Sequence, residues 1–169
     1  GGYRLGWITF PKNLEWFFYE CWASASSIYS CPCTVIQYAV ADTLKETDKL
    51  KLYFDNTINI YRKVSDEICS ILNKSKIKFF TPESSWYIFA NFDNYKEELK
   101  KININNSFEL SNYLINEMGI ITVAGEAFNS KGYNLRFSLV NIEFKDNKIN
   151  INNMKKGFEI LIMFFNNLV

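Results

Sequence analysis

Gly119-Ile120-Ile121-Thr122-Val123-Ala124-Gly125-Glu126-Ala127-Phe128, followed after Asn129-Ser130-Lys131 by Gly132-Tyr133-Asn134-Leu135-Arg136-Phe137-Ser138-Leu139-Val140, is the stretch that decides the fold. Both runs are rich in β-branched and aromatic residues, and turn-forming residues separate them. This pattern predicts two strands flanking a loop. The second run carries a single arginine, Arg136, among Leu135, Phe137, Leu139 and Val140. A guanidinium buried alone in such a run is strongly disfavoured, so Arg136 must reach solvent, pair with a carboxylate of the chain, or await an anion. Its planar fork suits a carboxylate, which it can hold through two parallel hydrogen bonds. Residue type alone favours a structural ion pair.

On the N-terminal side of this stretch, Ser107 is placed to cap a helix over Phe108 to Glu117, and Gly119 to stop it. Further back, Lys76 to Phe80 reads as a strand, Thr81-Pro82-Glu83-Ser84 as a turn, and Trp86 to Phe92 as the returning strand. In that strand Trp86, Ile88 and Ala90 alternate with Tyr87, Phe89 and Asn91. Aromatics in both sets predict cover on both faces. A long helix from near Asp48 to Leu72 sets Phe54, Ile58, Tyr61, Val64, Ile68 and Leu72 on one face. On the C-terminal side Met154, Phe158, Leu161, Phe165 and Leu168 make an amphipathic closing helix.

The opening is dense in aromatics. Leu5 to Phe10 reads as a short buried strand ended by Pro11. Asn13 is placed to cap a helix over Leu14 to Ser24, where Trp16, Phe17, Phe18, Tyr19 and Trp22 cover nearly every face. A further helix is expected from near Ser30 to about Leu44, with Pro32 in its first turn and Val35, Ala39 and Val40 facing inward. Tyr95 to Asn106 and Asn147 to Asn153 are charged, Asn-rich runs that read as surface and carry no assigned chemistry. Strands and helices are mixed, and the hairpin favours antiparallel pairing. The fold class is therefore α/β, a small two-layer domain with a mostly antiparallel sheet packed with helices.

Composition removes several function classes. The chain has 169 residues, is 48% hydrophobic and carries a net charge of +1 from 19 basic and 18 acidic residues. That length supports a real core, and that balance gives no electrostatic reason to expect nucleic acid or an anionic membrane as partner. No apolar run reaches the length of a membrane span. The chain has no histidine, which excludes His-based triads and His–metal sites. Cys21, Cys31, Cys33 and Cys69 match no zinc spacing and read as buried free thiols. They favour a reducing, intracellular setting, and the expected compartment is the cytoplasm. The first residues move directly into strand-like sequence, and the expectation is a chain that belongs to something longer.

Four blocks then resemble one family. Gly2-Tyr3-Arg4-Leu5-Gly6 looks like the G-x-R-x-G that follows the cofactor lysine in class I/II aminotransferases, fold-type-I enzymes that use pyridoxal 5'-phosphate. Gly119 through Phe128 with Asn134-Leu135-Arg136-Phe137-Ser138 is similar to the family's closing block. Ser30-Cys31-Pro32-Cys33-Thr34-Val35-Ile36-Gln37-Tyr38-Ala39 resembles a small-residue turn leading into Q-x-A on a helix. Pro82-Glu83-Ser84-Ser85-Trp86-Tyr87-Ile88-Phe89 resembles the turn P-x-G-x-[FY]-[FLY], with its glycine replaced here.

The resemblance implies the C-terminal portion of such an enzyme: residues 1–30 the end of the large cofactor-binding domain with a connecting helix, and residues 31–169 the small domain. It implies that Arg4 grips the cofactor phosphate and that Arg136 binds the α-carboxylate of an amino-acid or 2-oxo-acid substrate, with Phe128 lining the pocket. The lysine that forms the Schiff base is expected before Gly1, so this chain alone is expected to be inactive and without cofactor. The missing large domain and, in the whole enzyme, a second copy in a homodimer are the implied partners. A lyase or cyclase with the same cofactor, and a non-catalytic anion-binding module, are the competing readings.

Overall fold

The computed structural model describes residues 2–145 and 148–168. Gly1, and Asn147 at the head of the second Asn-rich run, lie outside the described residues. The chain forms two compact units, residues 1–55 and 56–169.

The first unit contains α1 (Glu15–Ile28), α2 (Thr34–Thr43) and the start of α3 (Thr47–Leu72). Leu5 to Phe10 forms no strand, contrary to the sequence expectation. A strand needs a ladder partner, and none is formed within the described residues of this unit. A 3-10 turn, Lys12–Leu14, leads into α1, so Leu14 rather than Asn13 stands at the helix N-cap, with no side-chain cap. The next helix starts later than expected, at Thr34, and Val35 is exposed rather than inward. No described residue of this unit is buried. Trp16, Phe17 and Trp22 are 63%, 44% and 64% exposed, which leaves a large aromatic surface on one helix.

The second unit is a two-layer α/β domain. Its sheet runs β1 (Lys78–Phe79), β2 (Tyr87–Asn91), β4 (Asn134–Ser138), β3 (Val123–Ala124) in spatial order, with every pair antiparallel. β5 (Glu143–Lys145) and β6 (Lys148–Asn150) form a separate hairpin. The Asn-rich run at Lys148 thus supplies a strand instead of a loop. The helices are the C-terminal half of α3, then α4 (Lys96–Lys101), α5 (Ser107–Met118) and α6 (Asn152–Asn167).

Strand alternation separates the two faces of the sheet. Ile88 and Ala90 of β2, with Leu135 and Phe137 of β4, are buried on the helix-covered face. Phe158 and Phe165 of α6 lie 5.1 Å from Phe137 and 4.8 Å from Phe92, closing that layer. The apolar stripe of α3 is buried only from Val64 onward; Phe54 and Ile58 are exposed. The run from Tyr95 to Asn106 departs from its expected surface character, because Tyr95, Leu99 and Ile104 are buried in the core. Its charges mask three anchors spaced to reach inward from a short helix. Asn106, one residue before the expected cap, accepts from the Glu109 amide, while Gly119 ends α5 at φ 66° as expected. Cys69 is buried, and burial pushes its thiol pKa up, partly offset by the contact with Ser65. Cys31 and Cys33, expected inside, are exposed.

Two outcomes follow from this packing. Phe165→Ala removes a side chain that meets Phe92, Tyr95 and Phe164, and should lower the unfolding free energy by about 3–5 kcal/mol in denaturant titration. The aromatic surface of α1 should make the isolated chain bind an apolar dye and self-associate in sedimentation velocity; a monomer with little dye binding would contradict this.

Candidate functional site

The second face of the sheet is different. Tyr87, Phe89 and Asn91 of β2 lie across from Ser138, Arg136 and Asn134 of β4 in register, and Val123 of β3 lies across from Arg136 on its other side. Phe89 is 41% exposed, so this face is open rather than covered as its aromatics suggested. The β2 rings lie instead beside the arginine, Tyr87 against its guanidinium and Phe89 as its register partner.

The Arg136 guanidinium carbon sits over the Tyr87 ring, 4.4 Å from its centroid, and over the Phe128 ring at 4.9 Å. Phe128 meets Phe89 edge-to-face at 6.0 Å. Arg136 makes no ion pair among the described residues, and its Nε is buried with no hydrogen-bond partner. The structural ion pair that residue type favoured is therefore not formed. A ring face attracts the cation but does not accept its N–H groups as a carboxylate would. A buried, unsatisfied donor is disfavoured by about 1–3 kcal/mol, which an incoming anion can relieve.

Local structure sets these positions. Phe128 ends a 3-10 turn, Gly125–Phe128, and Asn129 then takes a left-handed conformation at φ 55°. The turn packs tightly on β4: a Cβ at Gly125 would lie 2.7 Å from the Asn134 Cβ and 2.9 Å from its carbonyl oxygen. Asn134 is itself buried. Its Nδ2 donates to the Lys131 carbonyl, and its Oδ1 accepts from Asn91 Nδ2. Asp93 accepts from that same Asn91 amide and from the Tyr133 backbone N–H. This polar clip fastens the 129–133 turn to β2. Tyr133 points the other way, donating its hydroxyl to the Ile104 carbonyl. Burial first, then Glu109, Glu97 and Asp93, push its pKa up, so it stays neutral.

Of the site residues expected from sequence, Arg136 and Phe128 are brought together. Arg4 lies in the first unit, exposed and at φ 55°, with no hydrogen bond or ion pair among the described residues. Its donors are open, so its chemistry fits a phosphate group. Gln37 donates to the Pro32 carbonyl, a local role. Tyr87 was not recognised from sequence. The signal was available in its alternation with Phe89, but only the β2–β4 register shows that this set faces Arg136.

The family "Aminotransferase class I and II" matches residues 1–149. A probable aspartate/prephenate aminotransferase of Rickettsia typhi is 35% identical over 137 residues, covering 78% of this chain and 32% of that protein. A probable kynurenine–oxoglutarate transaminase of Saccharomyces cerevisiae is 25% identical over 138 residues, covering 77% and 30%. The solved aromatic aminotransferase from Pyrococcus horikoshii superposes with a TM-score of 0.70 at 22% identity, covering 99% of this chain and 40% of that one. The chain thus spans about a third of the length of the curated relatives it matches.

The close approach at Gly125 generates one prediction. Gly125→Ala must push the turn away from β4 and should destabilise the protein by about 1–3 kcal/mol, read as a lowered thermal midpoint. Gly2→Ala, where a Cβ meets nothing within 4 Å, should leave the midpoint unchanged.

Proposed function

The chain belongs to the class I and II aminotransferase family, and on that premise we propose that it is the C-terminal, carboxylate-gripping portion of a pyridoxal-phosphate-dependent transaminase. In the whole enzyme an amino group passes from an L-amino acid to a 2-oxo acid. The observation that carries this reading is the Arg136 guanidinium, set against aromatic rings with no counter-charge among the described residues and with its Nε unsatisfied.

Arg136 takes the α-carboxylate, which amino acid and 2-oxo acid share. One fixed fork can therefore orient both halves of the reaction. Phe128 and Phe89 wall that carboxylate and keep water from the guanidinium, which strengthens the charge contact. Arg4 holds the cofactor phosphate. Pyridoxal phosphate, when bound, supplies the electron sink for the charge that develops at the amino-acid α-carbon. The lysine that bonds the cofactor and moves the substrate proton is proposed to come from sequence preceding Gly1, so this chain alone is inactive. Residues 1–30 are proposed to belong with the large domain and residues 31–169 to be the small domain of a homodimeric enzyme. The relatives' names include aspartate, prephenate and kynurenine, and such substrates share the carboxylate that Arg136 would bind.

In the full-length enzyme Arg136→Ala should raise KM for both the amino acid and the 2-oxo acid by roughly 30-fold or more, the equivalent of losing one member of a desolvated charge pair. Steady-state kinetics in both directions checks this. An unchanged KM would overturn the assignment.

A further inference from the structure

We propose that Tyr87 is a positioning residue for this carboxylate site, holding the Arg136 guanidinium in place through its ring face; the inference rests on the reading of Arg136 given above. Of the two rings against the guanidinium carbon, Tyr87 is the closer, at 4.4 Å against 4.9 Å for Phe128. It is also on the firmer support. Tyr87 lies in β2, paired with Ser138 on the same strand that carries Arg136, and it is half-buried. Phe128 lies in a turn and is 47% exposed. A group carried on a strand is held more accurately than one carried on a loop.

The physical need for such a group comes from the arginine itself. Its long side chain has several rotatable bonds, and no carboxylate of the described residues fixes its head. Left unrestrained, it would lose that freedom whenever substrate binds, and affinity would fall accordingly. A ring face beneath the cation restrains it beforehand without consuming its N–H donors. The Tyr87 hydroxyl makes no hydrogen bond among the described residues, so the ring and not the hydroxyl supplies the effect. Trp86 packs against Tyr87 at 5.8 Å and Tyr61 against Trp86 at 5.8 Å, bracing the ring from β2 back to α3.

The test is a double-mutant cycle in the full-length enzyme, with KM and kcat measured for amino acid and 2-oxo acid. Tyr87→Ala should raise KM for both substrates by roughly 3- to 30-fold, with a smaller change in kcat. Tyr87→Phe should recover most of that loss, and Tyr87→Leu, which keeps bulk without a π face, should not. In an Arg136→Ala background, Tyr87→Ala should add little further change in KM. Additive effects, or equal recovery by Leu and Phe, overturn the proposal while leaving Arg136 as the carboxylate residue. A KM unaffected by Arg136→Ala overturns the functional reading beneath it. Should Tyr87→Ala fail to fold, the Leu and Phe variants give the same decision.

Discussion

An arginine without a counter-charge among the described residues, held over two aromatic rings on the open face of a sheet, is the constraint around which the second unit is arranged. Its Nε is buried and unsatisfied. Structures seldom keep such a donor without reason. The flanking residues are those that tolerate a cation and leave its hydrogen bonds free: Tyr87, Phe89 and Phe128. A nearby aspartate or glutamate would have satisfied the donor and closed the site. Asp93, on the segment that follows β2, is engaged instead with Asn91 and the Tyr133 amide.

The two faces of the sheet divide the work. On one, Ile88, Ala90, Leu135 and Phe137 bury apolar surface against helices and fix the strand register. On the other, the same register brings Phe89 and Val123 alongside Arg136. Because strand side chains alternate, a slip of one residue would send Arg136 into the core and Leu135 to the site. Core packing therefore sets the geometry of the site without touching it. The close contact of Gly125 with Asn134 performs a similar task for Phe128, bringing its turn down onto β4.

Much of this was legible in the sequence. The alternation in Trp86 to Phe92, the αL stop at Gly119 and the spacing of Met154, Phe158, Leu161 and Phe165 each report a local preference that tertiary structure kept. Arg136 stood out because a charge among Leu135, Phe137 and Leu139 contradicts its surroundings. What sequence did not show depends on distant partners. Tyr87 comes to face Arg136 only through pairing with a strand some fifty residues away, and Leu5 to Phe10 has strand composition but pairs with no strand among the described residues. Tyr95, Leu99 and Ile104 were hidden among lysines and asparagines, where average polarity outweighed three buried anchors. In the first unit, the aromatics of α1 read as multi-sided contacts, yet no described residue there is buried.

The proposed recognition of substrate comes down to a contact between one guanidinium and one carboxylate. Competitive inhibition of the full-length enzyme by a 2-oxo acid and by its neutral methyl ester tests it most directly, measured in the unaltered enzyme and in Arg136→Ala. The acid should bind far more tightly than the ester in the unaltered enzyme, and that difference should nearly vanish in the variant. A preference for the acid that survives removal of Arg136 would contradict the account.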